Sequence, residues 1–213
     1  MREVLYNWKY KEISERITDI LREKKHDAYF VENKKDVVPL LDKIIDKKSL
    51  VSVGGSITLD ECGVLDFLRN GEFDFNDRYS SKSPEESLEI QYKTFKSDYF
   101  FCSANALTMN GEIVQLDGSG TRVAPMIWGP KKVVMVVGMN KIVQNIEAAN
   151  ERLKYIAPMN AKRLNAKTPC TRIGECVDCK SPDRICVQRT IIETGVKNPG
   201  RYIIILVGEN IGL

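Results

Sequence analysis

Histidine is almost absent from this sequence, which has one, His26, among its 213 residues. A serine hydrolase triad would therefore have to use His26 as its base. That residue follows two lysines at the predicted end of a helix, where a cation is favourable, and this context indicates a surface or capping role. The pattern thus identifies no catalytic residue.

Long apolar runs are also missing. Val133–Met139 and Tyr202–Gly208 are far too short to cross a bilayer. The first residues carry charges throughout and have no apolar h-region, so we expect no signal peptide, no membrane contact and a cytoplasmic location. In that reducing compartment, six cysteines indicate thiols or metal ligands rather than disulfides.

Charge of one sign is not in excess, because 32 basic residues face 29 acidic ones. The lysine pairs are dispersed and interleaved with acids, and no basic run of the kind that follows a phosphate backbone occurs. We therefore expect solvated surface charge and no nucleic-acid partner.

What the sequence does contain is a globular composition, with 43% apolar and 29% charged residues. Its length suits one domain over 1–213, with a helical extension over 1–25 in which Leu5 and Trp8 belong to the apolar face. Residues 70–84 resemble a loop, and Asn110–Gly111 predicts a hairpin turn. Strands are predicted near 28–32, 49–53, 99–103, 132–138 and 202–208, and helices near 36–47, 59–68, 84–97 and 142–155. This alternation predicts an α/β fold with a largely parallel sheet flanked by helices.

Four cysteines lie close together near the end of the chain, within a predicted metal-binding segment over 165–190, before the last strand. They are Cys170, Cys176, Cys179 and Cys186. One C-x-x-C pair supplies two sulphurs from a tight turn, and the intervening loops allow the chain to bring in the others. The uneven spacing favours a [4Fe–4S] cluster over zinc, whose structural sites more often use two such pairs. A redox disulfide between Cys176 and Cys179 is a third interpretation.

A first glycine loop joins a predicted strand to a predicted helix. It contains Gly54, Gly55, Ser56 and Thr58. Glycines there let backbone N–H groups approach an anion, and the two hydroxyls add donors. The alternative is a tight turn in which Ser56 or Thr58 caps the helix. The loop is neither a Walker loop nor a dinucleotide-binding fingerprint.

A second set of small and polar residues occupies later connections of the sheet. It comprises Asn105, Asp117, Gly118, Gly120 and Arg122. Parallel sheets bind ligands beyond the carboxyl ends of their strands, although the same residues also suit turns. An arginine in a glycine-rich loop offers a bidentate clamp for carboxylate or phosphate.

The segments VGGSITL, SANALTMNGEIVQLDGSGTRVAPMIWGPKKVVMVVGMNKIV, PCTRIGECVDCKSPDRIC and IILVGENIGL resemble the LUD-domain (lactate-utilisation, YkgG-like) proteins. The resemblance implies the Rossmann-like fold of the NagB/RpiA/CoA-transferase superfamily, whose members bind sugar phosphates or acyl-CoA at glycine loops. It implies that Gly54–Ser56, Asn105 and Asp117–Arg122 line the equivalent cleft. No glutamate stands out as the nucleophile of a CoA-transferase; Glu61 and Glu112 are the candidates.

Three functions are compatible with these patterns. The first is a protein of organic-acid or redox metabolism that binds a small anionic ligand over the glycine loops and carries a metal centre, with other redox subunits or a second copy as partners. The second is a non-catalytic subunit whose metal is structural. The third, a sugar-phosphate or acyl-CoA enzyme, rests on fold analogy alone.

Overall fold

The computed structural model describes all 213 residues. Its helices are α1 (Arg2–Glu23), α2 (Val37–Ile44), α3 (Ile57–Glu61), α4 (Val64–Asn70), α5 (Pro84–Thr94), α6 (Val123–Ile127), α7 (Ile146–Arg163) and α8 (Cys170–Ile173). Its strands are β1 (Asp27–Val31), β2 (Leu50–Val53), β3 (Asp74–Asn76), β4 (Tyr99–Cys102), β5 (Ala106–Thr108), β6 (Ile113–Asp117), β7 (Lys132–Gly138), β8 (Ile142–Val143), β9 (Gln188–Ile192) and β10 (Tyr202–Val207). No helix combines the length and the apolar character needed to cross a bilayer.

The main sheet has six parallel strands in the order β1-β10-β7-β4-β2-β3. Every residue of β10 and all but the first of β7 are buried. Apolar clusters cover both faces of this sheet, with α2, α3 and α4 on one side and α1 and α6 on the other. Burial on both faces explains why these strands are continuous apolar runs in the sequence. The predicted Rossmann-like α/β architecture is confirmed.

A smaller sheet has the strand order β8-β5-β6-β9. β5 and β6 form the antiparallel hairpin predicted around Asn110–Gly111, and Gly111 turns the chain with φ of +80°. β9 pairs with the outer side of β6. This pairing returns the chain from the cysteine segment to the small sheet before β10 enters the main one.

The first helix is amphipathic only in its second half. Ile17 and Leu21 are fully buried against the main sheet, whereas Leu5 and Trp8 are 58% and 62% exposed. The prediction that Trp8 packs inward is therefore wrong, because the first turns of α1 contribute no residue to the buried clusters.

Three predicted boundaries also differ from the structure. Residues 70–84 contain the edge strand β3, which pairs in parallel with β2. The helix predicted over 59–68 is two helices, because Gly63 adopts φ of +70° between α3 and α4. The helix predicted over 142–155 begins at Ile146, after Ile142–Val143 has paired with β5, and continues to Arg163.

Candidate functional site

A cleft of about 610 Å³ opens at the carboxyl ends of the main-sheet strands. Its walls come from the loops after β2, β3, β4 and β6, from the short turn after β7, from the end of α7 and from the cysteine segment. Open parallel sheets bind their ligands at this position, because the loops that follow successive strands meet there.

The glycine loop after β2 forms one wall of the cleft, with Gly55, Ser56 and Thr58 in the lining. Gly54 lies beneath them: its N–H donates to the Phe101 carbonyl at 2.8 Å, and a Cβ atom there would approach Arg122 Cγ to 3.1 Å. The hydroxyl of Ser56 accepts the Leu59 N–H at 3.3 Å and caps α3. The loop therefore serves both as a capped turn and as a cleft wall.

Arg122 holds the opposite wall together. Its guanidinium donates to Gln115 Oε1 at 2.5 Å, to Asn105 Oδ1 at 2.8 Å and to the carbonyls of Ser103 and Leu116. Asp117 lies 3.6 Å from its Nε. Protein acceptors thus occupy the groups that a bidentate clamp would use. Arg122 shapes the cleft, and a ligand must find another cation.

The remaining predicted residues divide between lining and turn. Asn105, Asp117 and Gly118 face the cleft. Gly120 does not; it adopts φ of +85°, and its N–H donates to Asp117 Oδ1 at 3.0 Å. A Cβ atom at Gly120 would lie 2.7 Å from Gln188 Oε1. Gly120 therefore makes the turn that positions its neighbours.

The four cysteines of the tail share one small pocket under the C-terminal half of α7, with Ala157, Ala161 and Thr168 in its walls. The Arg184 guanidinium donates to the carbonyls of Cys179 and Cys186 at 2.7 and 3.1 Å, which folds the loop around the pocket. Arg184 and Ile185 also line the large cleft. The two cavities therefore share a wall.

Comparison with known proteins identifies the family. The LUD domain model matches residues 14–207. The chain belongs to the LUD-domain family. A structure described as a DUF162 family protein from Deinococcus radiodurans is similar over 93% of this chain and 97% of its own, with 14% identity and a TM-score of 0.55. Another, eIF2B delta from Chaetomium thermophilum, is similar over 53% of this chain and 49% of its own, with 14% identity and a TM-score of 0.37. The first likeness shows the fold, and no curated protein matches.

The cysteine pocket of this LUD-domain protein has the ligand atoms that a metal requires, but its thiols are not arranged around a metal position. Four thiols with apolar walls are a ligand set for zinc or for an iron–sulphur cluster. The space among them is about 10 Å³, and no three His, Cys, Asp or Glu side chains are arranged as they would be around a metal ion. Binding would require the thiols to move. Among the backbone amides between 175 and 186, only that of Arg184 donates to a backbone carbonyl. The other contacts that shape the loop are side-chain hydrogen bonds, chiefly from Arg184, so few backbone hydrogen bonds oppose its rearrangement.

The other two cysteines of the LUD domain are core residues. Cys62 and Cys102 are buried on opposite faces of the main sheet. Burial raises the pKa of Cys62 to about 11 and that of Cys102 to about 12. Thiols held in their protonated form are poor metal ligands and nucleophiles. Any metal chemistry therefore belongs to the four cysteines of the tail.

Sequence reasoning missed most of the positive charge in the cleft. Its lining includes four cations that were not singled out as ligand-binding residues: Arg78, Lys141, Arg163 and Arg184. Arg78 follows β3, and the sequence pattern predicts a loop there, so it does not mark Arg78 as a residue at the end of a strand. Lys141 follows the apolar strand β7, and its position after a predicted central strand was a usable signal.

Arg78 is the free cation of this site. It donates no hydrogen bond to the protein and forms no ion pair, and its Nη1 would lie 3.7 Å from a Cβ atom on Gly55. With Asp117 engaged by Arg122, the second carboxylate in the lining is Asp183, which accepts the Lys167 N–H. The cleft therefore presents unpaired positive charge above the glycine loop.

Proposed function

We propose that this LUD-domain protein binds a small anionic organic ligand in the cleft, holds a metal centre through its four tail cysteines, and acts in organic-acid or redox metabolism in the cytoplasm. The observation that carries the proposal is the wall shared by the two cavities. Arg184 and Ile185 line both. A ligand in the cleft and a metal among the thiols would thus be close neighbours.

The positive charge of the cleft supports an anionic ligand. Four arginine side chains contribute to its lining against two carboxylate side chains, and Arg78 has no partner in the protein. A carboxylate or phosphate placed between Arg78 and the glycine loop would receive charge-assisted hydrogen bonds, which are shorter and stronger than neutral ones.

The spacing of the four cysteines along the chain favours a [4Fe–4S] cluster over zinc. Tetrahedral zinc draws four sulphurs to about 2.3 Å from one ion, whereas a cluster binds each cysteine at a separate iron. The tail has one C-x-x-C pair, with the other two thiols six and seven positions away along the chain. The cluster would supply electron transfer or a Lewis-acidic iron beside the cleft.

Anaerobic purification followed by metal analysis tests the metal centre. We expect iron and sulphide with a broad absorption band near about 400 nm, as thiolate-bound clusters show. Serine at any of the four tail cysteines should abolish the band. The matched controls Cys62→Ser and Cys102→Ser should retain it, because those thiols lie in the core. A colourless protein with one zinc would instead support a non-catalytic subunit with a structural metal.

A thermal-shift screen with lactate, acyl-CoA and sugar phosphates tests the cleft. A ligand that binds only the folded state raises the melting temperature, and we expect such a shift for small carboxylates. Arg78→Ala should weaken binding about tenfold or more, the loss of one charge-assisted hydrogen bond. The matched control is Arg16→Ala, an exposed arginine on α1. No shift with any of these anions, or equal binding by both variants, would refute the anionic cleft.

The proposed partners are other redox subunits, which would exchange electrons with the cluster, and a second copy of the chain. Size-exclusion chromatography with light scattering of the anaerobically purified protein measures the second directly. A monomer at all concentrations would remove the homo-oligomer from the proposal.

A further inference from the structure

Lys141 is a buried lysine at the base of the cleft. It ends the short helical turn Met139–Lys141 that follows β7, and its side chain is 3% exposed although it contributes to the cleft lining. Lysines are almost never fully buried unless they are paired with an opposite charge. Lys141 forms no salt bridge, so neither packing nor an ion pair accounts for it.

Two hydroxyl groups orient its amine. Lys141 Nζ donates to Thr58 Oγ1 at 2.5 Å and to Ser103 Oγ at 2.9 Å. The Ser103 hydroxyl gives its own proton to the Val136 carbonyl at 2.7 Å, so it acts as the acceptor toward the lysine. Besides its bond to carbon, the tetrahedral amine nitrogen has three positions, and these two hydrogen bonds use two of them. In the neutral form the third position is a lone pair, which is what a nucleophile needs.

The electrostatic surroundings favour the neutral form. Burial, reinforced by the nearby cations Arg152 and Arg122, lowers the pKa of Lys141 to about 7. Glu61 and the Cys62 thiol act in the opposite sense and more weakly. Enzymes activate lysine as a nucleophile in this way, through desolvation and a neighbouring cation.

We propose that Lys141 forms a Schiff base with the carbonyl carbon of an anionic aldehyde or 2-oxo acid in the cleft. The anionic class rests on the proposed function; the carbonyl follows from the amine. The Lys141 nitrogen attacks the carbonyl carbon and forms a carbon–nitrogen bond. Both amine hydrogens leave with the carbonyl oxygen as water, and a C=N bond remains. The product is an imine, which takes one proton from solvent when it becomes an iminium ion.

The cleft gives this step its selectivity. The anionic end of the ligand would lie toward Arg78, the unpaired cation beside Gly55, and the carbonyl would reach Lys141 at the Thr58 end of the glycine loop. At pH 7.5 about one in a thousand ordinary lysine side chains is neutral, whereas an amine with a pKa near 7 is mostly neutral. The reactive amine and the charge that selects its partner are thus in one cavity.

Reductive trapping tests the proposal. The anaerobically purified protein is incubated at pH 7.5 with pyruvate and sodium cyanoborohydride, and labelled peptides are identified by mass spectrometry. We expect Lys141 to be labelled at least about tenfold faster than the exposed Lys154, because its neutral fraction is much larger. Lactate, which has no carbonyl, should compete for the cleft without labelling.

Two variants keep the test decisive. Lys141→Met removes the amine with little change in volume, and Lys141→Arg keeps the charge but not the nucleophile. Both should lose the fast label and keep the slow surface labelling. Equal labelling of Lys141 and Lys154 in the wild type would overturn the proposal. So would protein whose melting temperature rises with pyruvate but whose Lys141 is never trapped; that result would leave the anionic cleft standing. Trapping of Lys141 by neutral acetaldehyde, without any thermal shift from anions, would support the nucleophile and refute the cleft's charge selectivity.

Discussion

At the scale of single residues, His26 is an unsatisfied polar group in the core. Its side chain is 3% exposed, and neither ring nitrogen has a hydrogen-bond partner. Its ring meets Tyr202 edge-on, with the two centroids 5.2 Å apart. Burial, assisted by the charge of Lys24 and opposed by Asp27, lowers its pKa to about 4. The surface role that its flanking lysines suggested is wrong.

This burial makes the protein less stable in acid. Between pH 6.5, the ordinary pKa of histidine, and pH 4, the unfolded chain binds a proton at His26 that the folded chain does not. The free energy of unfolding should therefore be fully retained above pH 6.5 and fall on acidification, by about 2 to 3 kcal/mol at pH 4. Urea denaturation at a series of pH values measures this loss. His26→Leu should flatten the curve over that range, and an unchanged slope in the variant would assign the loss to other groups.

Replacing Arg122 should lower the stability of the folded protein, because its guanidinium bonds protein groups rather than a ligand. Arg122→Ala removes the cation beside the Asp117 carboxylate and one donor to each of the carbonyls of Ser103 and Leu116, inside a largely buried network. Removing one partner of a buried charge pair costs about 3 to 5 kcal/mol. Chemical denaturation measures this cost. Arg163→Ala is the matched control, since that exposed arginine bonds only Asn160 and its loss should cost less than about 0.5 kcal/mol.

The sequence identified Arg122 as important but not why. Its place in a glycine-rich loop after a predicted strand was enough to mark it. Its acceptors come from two other segments, 103–105 and 115–117. One of them is Gln115, a polar residue of the hairpin whose burial the sequence pattern did not indicate. Contacts between segments distant along the chain depend on the packed fold, which residue types alone do not encode.

At the scale of elements, the break between α3 and α4 depends on one backbone angle. Gly63 has φ of +70°, and a Cβ atom there would meet no atom within 4 Å. Gly63→Ala should therefore destabilise the fold by about 1 kcal/mol through backbone strain alone, without any clash. Thermal or urea denaturation measures the change.

Gly55→Ala is the control for that prediction. Gly55 does not have positive φ, and its Cβ would meet Arg78 at an ordinary 3.7 Å. The Gly55→Ala substitution should change the free energy of unfolding by less than half as much as Gly63→Ala does. If the two variants lose equal stability, the left-handed conformation of Gly63 is not the cause.

The elements that sequence patterns predicted well are those whose burial is complete. β7 and β10 are apolar along their length because both faces are covered, so their pattern has no competing explanation. β3 and β9 were missed because they lie at sheet edges. β3 has three residues and β9 is largely exposed, and neither has the alternation or the apolar run that marks a strand.

At the scale of the whole molecule, stability and chemistry occupy different parts of one chain. The parallel sheet contains the two large apolar clusters, whereas the cleft and the cysteine pocket are made of loops at one end of that sheet. The four cysteines were predictable as a set because their spacing is short. The shared wall between their pocket and the cleft was not, because it depends on β9 returning the chain to β6.

Hydrogen exchange should show this division directly. Amides of β7 and β10, at the centre of the main sheet, can exchange only through global unfolding and should be the slowest. Amides between 175 and 186 should exchange near their intrinsic rates in metal-free protein, since only the Arg184 amide there donates to a backbone carbonyl and only the Asp183 amide to a side chain. Metal loading should protect that loop and leave the rates in β7 and β10 at least as slow. A loop already protected without metal would contradict the low cost of rearrangement inferred for it, and a loaded protein with an unprotected loop would place the metal elsewhere.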